Sequence, residues 1–197
     1  MEQLLLASNN QKKFEELKRL LALTGIAVLT PKDLHLDLAP EETGATFYEN
    51  ALQKAQAFGK VSGLVCLADD SGLEVDALGG APGVLSARYG WPEARTDAER
   101  NTLLLRRMEG MEDRAARFVC CLVLWWPDGQ ILSVNGICEG IMAREVAGAG
   151  GFGYDPVFFL PSMGVTMAQI TPEQKDALSH RGQALRKLWE QMENYIV

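Results

Sequence analysis

Five short segments of the 197-residue chain carry side chains that could do chemistry, and the first is "SNNQKK". It places Ser8, Asn9, Asn10 and Lys13 between an apolar run and a helical pattern. A hydroxyl, two amides, helix-terminal N–H groups and a lysine one turn into the helix suit a phosphate, although the Walker spacing is absent. An ordinary capped helix start explains the segment equally well.

Two pairs of acids beside tight turns suggest a metal site. "PEETG" contains Glu41 and Glu42, and "ADDSG" contains Asp69 and Asp70. Mg²⁺ takes one or two carboxylates together with substrate phosphates, although acid pairs are commonly only solvated surface. Asp69 and Asp70 close an otherwise apolar strand whose neighbouring side chains point to opposite faces. We therefore expect one of them to enter a site, where it holds a metal or activates a water.

The segment "GAGGFGYDP" matches the G-x-G-x-x-G spacing of dinucleotide-binding proteins, and Glu173 follows at the expected distance. That motif requires a helix to begin at the glycines. Pro156 and the apolar residues after it predict a strand instead, which excludes this interpretation. What remains is a glycine loop that presents Phe152 and Asp155, where a flat heterocycle could stack.

The fifth segment, "SHRGQAL", adds His180 and Arg181, and Lys175 comes just before it. Each of these residue types is more commonly structural or solvated than functional, so the set carries the argument. Together the five segments offer a metal site, a base for water, several cations and a place for a planar base. These are the requirements of phosphoanhydride cleavage.

Alternating strand and helix patterns position these segments in an α/β fold. "QLLLAS" predicts a buried strand, "FEELKRLLAL" a helix, and Ile26 to Leu29 a second strand. Thr46 and Glu49 predict a capping box at the start of a second helix, which has an apolar face. "GLVCLADD" predicts a strand that ends at its acids. After "TDAERNTLLLRRM", a capped helix, the chain continues as a strand meander, with the strand "PVFFLP" and two helices, "TPEQKDAL" and "GQALRKLWEQMENYI".

Composition excludes several classes of protein. The 19 basic and 26 acidic residues give a net charge of −7, which argues against general binding to a nucleic acid backbone. The acidic start and the shortness of the longest apolar run, "FVCCLVLWW", predict a cytoplasmic protein without a membrane span. The four cysteines form no C-x-x-C pair and are interpreted as apolar packing. No linker or repeat divides residues 1–197, so one domain is expected.

The chain resembles the inosine/xanthosine triphosphate pyrophosphatases, the bacterial enzymes that act on non-standard purine nucleotides. The matching segments occur in family order over almost the whole chain: "SNNQKK", "EETGATFYENALQKA", "LADDSGLEVDALGGAPGVLSARY", "GGFGYDPVFF" and "SHRGQAL". The resemblance implies hydrolysis of ITP, dITP and XTP to the monophosphate and pyrophosphate, with Mg²⁺, by a homodimer that cleanses the nucleotide pool. It also implies an elongated two-lobed α/β fold around a long mixed sheet, with the active site in the cleft between the lobes.

The resemblance assigns roles to individual residues. It implies that the triphosphate is held by Ser8, Asn10, Lys13, Lys54 and Ser71, with the two lysines also catalytic. Asp70 is implied as the general base, and either Glu41 or Glu42 as its partner at Mg²⁺, a choice that stays open. Asn9 departs from the Gly or His of many relatives, so its own role in binding is in doubt.

At the other end of the nucleotide, the resemblance implies that Phe152 stacks on the base within the loop that also contains Gly153 and Tyr154. Around the edge of the base it implies Asp155, Lys175, His180 and Arg181. Hypoxanthine and xanthine carry an acceptor at position 6 where adenine carries a donor, so buried donors there would reject ATP. Guanine shares this acceptor, and the sequence does not explain its rejection.

Two other functions fit parts of the sequence. A Maf-type nucleotide pyrophosphatase would act on pyrimidine or modified nucleotides, although "SHRGQAL" and "GGFGYDP" favour the first interpretation. A non-catalytic nucleotide-binding module could use the same scaffold. The complete set of candidate acids and cations argues against it.

Overall fold

The computed structural model describes residues 2–8 and 10–195, with side chains except at positions 23 and 193–195. In this part of the chain, strands and α-helices alternate at first and strands then follow one another. The elements are β1 (Gln3–Leu6), α1 (Gln11–Leu21), β2 (Ala27–Leu29), α2 (Phe47–Ser62), β3 (Cys66–Val75), α3 (Asp97–Arg107), β4 (Ala115–Trp125), β5 (Ile131–Met142), β6 (Phe158–Leu160), β7 (Val165–Thr166), α4 (Pro172–Leu178) and α5 (His180–Tyr195).

The strands form one mixed sheet in the order β2-β1-β3-β4-β5-β6-β7. β1 pairs in parallel with both β2 and β3, as helical crossovers require. At the other end of the sheet, β6 pairs antiparallel with β5 and with β7, and Met142 lies opposite Phe158. The predicted α/β fold with antiparallel pairing mixed into it is confirmed.

The first of two compact units comprises residues 1–70, 120–136 and 181–197. Its core joins the leucines of β1 to one face of α1, where Phe14, Leu17 and Leu21 are buried at the spacing that the sequence predicts. Glu16 is buried on the same helix, which an apolar pattern does not predict. The first unit therefore contains a buried acid that needs a partner.

The second compact unit comprises residues 71–119 and 137–180. Its core includes Phe118 and Phe158, whose ring centroids lie 4.4 Å apart. Helix α3 packs on this core and begins at a complete capping box, in which the Thr96 hydroxyl accepts from the Glu99 N–H and the Glu99 carboxylate accepts from the Thr96 N–H. The organisation of residues 1–197 as one domain with two lobes stays a prediction.

Strand β3 is longer than the sequence predicts. It was expected to end at Asp70, but it continues to Val75 because Leu73 and Val75 extend the buried apolar pattern beyond the acids. Asp69 and Asp70 consequently lie in the middle of the strand, with 1% and 5% of their surfaces exposed. Both carboxylates are thus buried within the strand and not at its end.

Other predicted boundaries shift by a few residues. Residues Asp155–Val157 form a short 3₁₀ turn, so the strand predicted from Pro156 begins at Phe158, although no long helix follows the glycines. The Thr46 hydroxyl caps α2 as predicted, but the Glu49 carboxylate accepts from the Ala45 N–H at 2.6 Å. The expected capping box is therefore only half formed.

The longer helices are amphipathic. Helices α2 and α5 each contain 16 residues, and α2 buries an apolar face while it leaves polar side chains outside. Within the part of the chain that the structure describes, no helix combines the length and apolar character needed to cross a bilayer.

The four cysteines are buried free thiols, as the sequence predicts. Burial raises the pKa of Cys66 to about 12 and those of Cys121 and Cys138 to about 11, and it also raises the pKa of Cys120. Because the thiolate is the reactive form, we expect a thiol-specific disulfide reagent at pH 8 to leave the native protein unlabelled. All four thiols should react after unfolding in guanidinium chloride. Rapid labelling of any native cysteine would contradict the prediction.

Candidate active site

The loop before α1 holds its own polar groups together. The Asn10 side chain caps the helix, and its Oδ1 accepts from the N–H groups of Lys12 and Lys13 at 3.1 Å each. The Ser8 hydroxyl accepts from the Asn10 N–H at 3.3 Å. Two N–H groups that were expected to cradle a phosphate are therefore already bonded, and the predicted phosphate roles of Ser8 and Asn10 rest on their side-chain donors. Asn9 lies outside the described residues.

Asp69 anchors a buried network of charges in the first unit. Its Oδ2 lies 3.2 Å from the Lys13 Nζ and 3.4 Å from the Arg181 Nη2, and Arg181 also donates from Nη1 to Glu16. Burial alone would raise the pKa of Asp69, but Lys13, Arg181 and Lys54 outweigh it and hold that pKa well below its usual range. Asp69 is thus held as a charged structural partner of two predicted site cations.

Arg181 is 1% exposed and lies in the first turn of α5. Burial would lower its pKa, but Asp69 and Glu16 raise it above the ordinary value, so the guanidinium stays charged. The buried Glu16 on α1 therefore has its explanation in Arg181. The contact of Arg181 with the edge of a base, which the resemblance implies, stays a prediction.

Asp70 has a different environment. Its Oδ2 accepts from the Asn50 Nδ2 at 2.9 Å, and its Oδ1 lies 3.9 Å from the Lys54 Nζ. Burial raises the pKa of Asp70 above its ordinary value, against the lowering effects of Lys54, Lys13 and the Asn50 hydrogen bond. A carboxylate with a raised pKa is a better proton acceptor than an ordinary surface aspartate. Of the two neighbouring acids, Asp70 is therefore the one suited to act as a base.

The structure brings Glu42, but not Glu41, into contact with these groups. The Glu42 Oε1 lies 2.6 Å from the Lys54 Nζ, so Glu42 and Asp70 share one ammonium, whereas Glu41 is exposed. Among the side chains that the structure describes, no three His, Cys, Asp or Glu residues are grouped as a complete metal site. Two carboxylates around one cation fit Mg²⁺ that brings substrate phosphates as its other ligands.

Asn50 contacts Asp70 but was not among the predicted site residues. It is fully buried on α2, one turn before Lys54; its Nδ2 donates to Asp70, and its Oδ1 accepts from the Gly44 N–H at 2.8 Å. It therefore joins the catalytic candidate to the loop that carries Glu42. The available signal was its position one turn from Lys54, which is too weak to separate a site residue from an ordinary helix residue.

We expect Asn50→Leu to lower kcat by about 10- to 100-fold, the usual effect of removing a group that orients a ligand. The reason is that Asp70 and the Gly44 N–H both lose their partner. The effect is measured by steady-state rates of the expected ITP hydrolysis at saturating Mg²⁺. Gln56→Leu makes a similar change on the same helix and should leave kcat within about two-fold. Equal rates for both variants would contradict the role of Asn50.

The second unit contains a compact set around Phe152. The Asp155 Oδ2 accepts from the Phe152 N–H at 2.8 Å and from the Lys175 Nζ at 2.5 Å. The same Nζ lies 4.7 Å from the centre of the Phe152 ring. Gly151, with φ of +68°, is required here, because a Cβ would lie 2.0 Å from the Asp155 Oδ2. Three of the predicted base-site residues are therefore in direct contact.

The remaining predicted residues of this unit occupy different environments. Tyr154 is 4% exposed in the core, and its hydroxyl donates to the Ser86 carbonyl at 2.8 Å, which suits it to support the loop. The His180 ring stacks on Phe118 with centroids 4.9 Å apart. Ser71 is half-buried directly after Asp70, and Gly153 has φ of +63°. Their predicted contacts with substrate stay predictions.

Taken together, the fold and these residues define an α/β protein with buried acids and lysines suited to phosphates and a separate set suited to a planar ring. The model of the Ham1 family matches residues 4–191. The chain belongs to the Ham1 family, which confirms the resemblance drawn from its motifs.

Relatives of known name match nearly the whole chain. The dITP/XTP pyrophosphatase of Thermus thermophilus is 52% identical over 187 residues, which are 94% of this chain and 89% of that protein. The dITP/XTP pyrophosphatase of Escherichia coli is 48% identical, covering 98% and 100% respectively. Among solved structures, the Staphylococcus aureus Ham1 protein is 39% identical with a TM-score of 0.88, covering 98% of this chain and 99% of the other. A HAM1 protein from Coxiella burnetii is 42% identical with a TM-score of 0.89, covering 98% and 100%.

Proposed function

We propose that this protein is a nucleoside triphosphate pyrophosphatase that hydrolyses dITP, XTP and ITP to the monophosphate and pyrophosphate. The observation that carries the proposal is the contact of Asp70 with Asn50 and Lys54, beside Glu42. It is supported by relatives named dITP/XTP pyrophosphatase at 48% to 52% identity over nearly the full chain. The predicted enzyme class agrees with these names.

In the proposed reaction, Asp70 accepts a proton from the water that attacks the α-phosphorus. Its burial and its contacts with Asn50 and Lys54 support this role. Lys54 and Lys13 stabilise the negative charge that develops on the phosphate oxygens. The side chains of Ser8 and Asn10 donate hydrogen bonds to oxygens of the triphosphate. Mg²⁺, held by Glu42 and Asp70, would neutralise the phosphates and polarise the scissile bond.

For the base, we propose that Phe152 stacks on the purine while Lys175 and His180 contribute donors near its edge. The Lys175 ammonium over the Phe152 ring supports a site that combines an aromatic face with a cation. A donor aimed at position 6 would bond the oxygen of hypoxanthine or xanthine and remain unpaired against adenine. Such a mismatch can discriminate by roughly 10⁴-fold.

Three further properties belong to the same proposal. We propose that the enzyme is a homodimer, that it acts in the cytoplasm on free nucleotides, and that it requires neither a nucleic acid polymer nor a membrane. The net charge of −7 supports a small-molecule substrate over a polyanionic polymer.

A panel of nucleotides tests the specificity. With Mg²⁺, we expect pyrophosphate release from ITP, dITP and XTP to exceed that from ATP by at least about 100-fold in kcat/KM, and to exceed that from GTP as well. Equal rates on all five would contradict the proposal. A preference for UTP or dTTP would instead support a Maf-type enzyme, and tight ITP binding without turnover would support a binding module.

A further inference from the structure

Helix α3 of the second unit holds the backbone beside Phe152 from two sides. The Gly153 N–H donates to the Asp97 Oδ2 at 2.8 Å, and the Gly153 carbonyl accepts from the Asn101 Nδ2 at 3.0 Å. Asp97 and Asn101 lie one turn apart near the start of the helix. We call these two side chains the Gly153 clamp.

We propose that the Gly153 clamp is a positioning device for base recognition: it restrains the backbone at Phe152, and with it the direction of the Cα–Cβ bond that carries the ring, and so sets the affinity for the base, with little effect on the affinity for the phosphates. The inference rests on the proposed function in one respect, the identity of Phe152 as the stacking residue. The clamp residues are positioning residues, because they act through Phe152.

The hydrogen bonds around Phe152 define its backbone conformation. The Phe152 N–H belongs to the peptide plane before the residue and donates to Asp155 at 2.8 Å. The plane after it contains the Gly153 N–H, which Asp97 accepts, and the Phe152 carbonyl, which accepts from the Asp155 N–H at 3.2 Å. With both flanking planes bonded, φ and ψ of Phe152 have little freedom, and the direction of its Cα–Cβ bond is set.

The loop needs such a restraint because it is rich in glycine. Gly148, Gly151 and Gly153 all have positive φ, and glycine segments lose more conformational entropy on ordering than others do. A base that must first order Phe152 would bind more weakly than one that meets a fixed ring. The clamp removes that ordering step before the substrate arrives.

Packing alone does not explain an asparagine at position 101. It is 3% exposed, and among the described residues its Oδ1 has no hydrogen-bond partner. An unsatisfied buried acceptor costs stability, which a leucine of similar size would avoid. The bond from its Nδ2 to Gly153 is the contact that offsets this cost. The Asp97 carboxylate is also held by Arg100, whose Nη2 donates to the Asp97 Oδ1 at 2.5 Å.

Asn101→Leu tests the clamp through ligands that differ in the base. We expect the KM for ITP to rise about 5- to 10-fold with kcat within about two-fold, the effect of losing one hydrogen bond. The Kd of inorganic triphosphate, which has no base, should not change. Asp97→Ala should act in the same direction, and it serves if Asn101→Leu folds poorly. An equal loss of affinity for both ligands, or no change for ITP, would overturn the inference.

A second measurement needs no substrate. Hydrogen exchange of the ligand-free protein should be faster in peptides covering residues 148–155 of both clamp variants than in the parent chain. Leu103→Val, which alters core packing on the same helix without touching either clamp bond, should not produce this local change. Unchanged exchange in the clamp variants would overturn the inference. A parent chain that cannot hydrolyse ITP would refute the proposed function instead.

Discussion

Asp70→Asn should lose about 10³-fold or more in kcat, because it removes the proposed proton acceptor and one of the two metal ligands. The fold should survive, since an amide has nearly the same shape as the carboxylate and its oxygen can still accept from Asn50. Pyrophosphate release from ITP in the presence of Mg²⁺ measures the loss. The exposed Asp37→Asn removes one charge elsewhere and should leave kcat unchanged.

The same variant should not lose stability in the absence of metal. Burial raises the pKa of Asp70 in the folded protein, so its charge opposes folding at pH values above that raised pKa. Removing the charge should therefore maintain or raise Tm at pH 7 in EDTA, and the difference should vanish near pH 3, where the carboxyl is protonated in both states. For activity, a kcat of Asp70→Asn equal to that of the parent chain would contradict both roles of Asp70, as base and as metal ligand.

Arg181→Met should lower the free energy of unfolding by about 3–5 kcal/mol, the range for removing one partner of a buried ion pair. The methionine fills much of the space but leaves Glu16 and Asp69 without their shared guanidinium. Urea unfolding at pH 7 measures the loss. Arg181→Lys keeps the charge but lacks the planar guanidinium, so its free energy of unfolding should lie between those of the parent chain and Arg181→Met.

The pH dependence of this loss follows from Asp69. Its pKa is held below the unfolded value, so the stabilisation is present above about pH 4 and declines as the pH falls below that value. The difference between Arg181→Met and the parent chain should therefore shrink in acid. A loss under about 1 kcal/mol at pH 7 would contradict the described network. Any change in base preference of an Arg181 variant must be measured at a temperature where the variant is folded.

Local patterns in the sequence predicted much of the fold. The helical spacing of Phe14, Leu17 and Leu21 gives the buried face of α1, and Pro156 with the apolar residues after it excludes a dinucleotide-binding helix. These features depend on neighbours within a few residues, so a single sequence contains them. The pattern predicts the wrong end for β3, because two acids after an apolar run are typical of a strand end, whereas here both are buried and Asp69 is paired with Lys13.

Pairings between distant residues could not be predicted in the same way. Glu16 and Arg181 are separated by 165 positions, and nothing in either local pattern indicates that one neutralises the other. Asn101 and Gly153 are 52 positions apart, and a helical asparagine looks like an ordinary polar residue until the loop is in place. The motifs predicted which residue types are present, and tertiary structure decides which of them meet.

Hydrolysis of ITP in ¹⁸O-water with Mg²⁺, followed by ³¹P NMR and mass analysis of the products, tests the central claim most directly. Attack on the α-phosphorus predicts one ¹⁸O in the inosine monophosphate and unlabelled pyrophosphate. Release of orthophosphate with a diphosphate product, or label in the pyrophosphate, would contradict the proposed reaction.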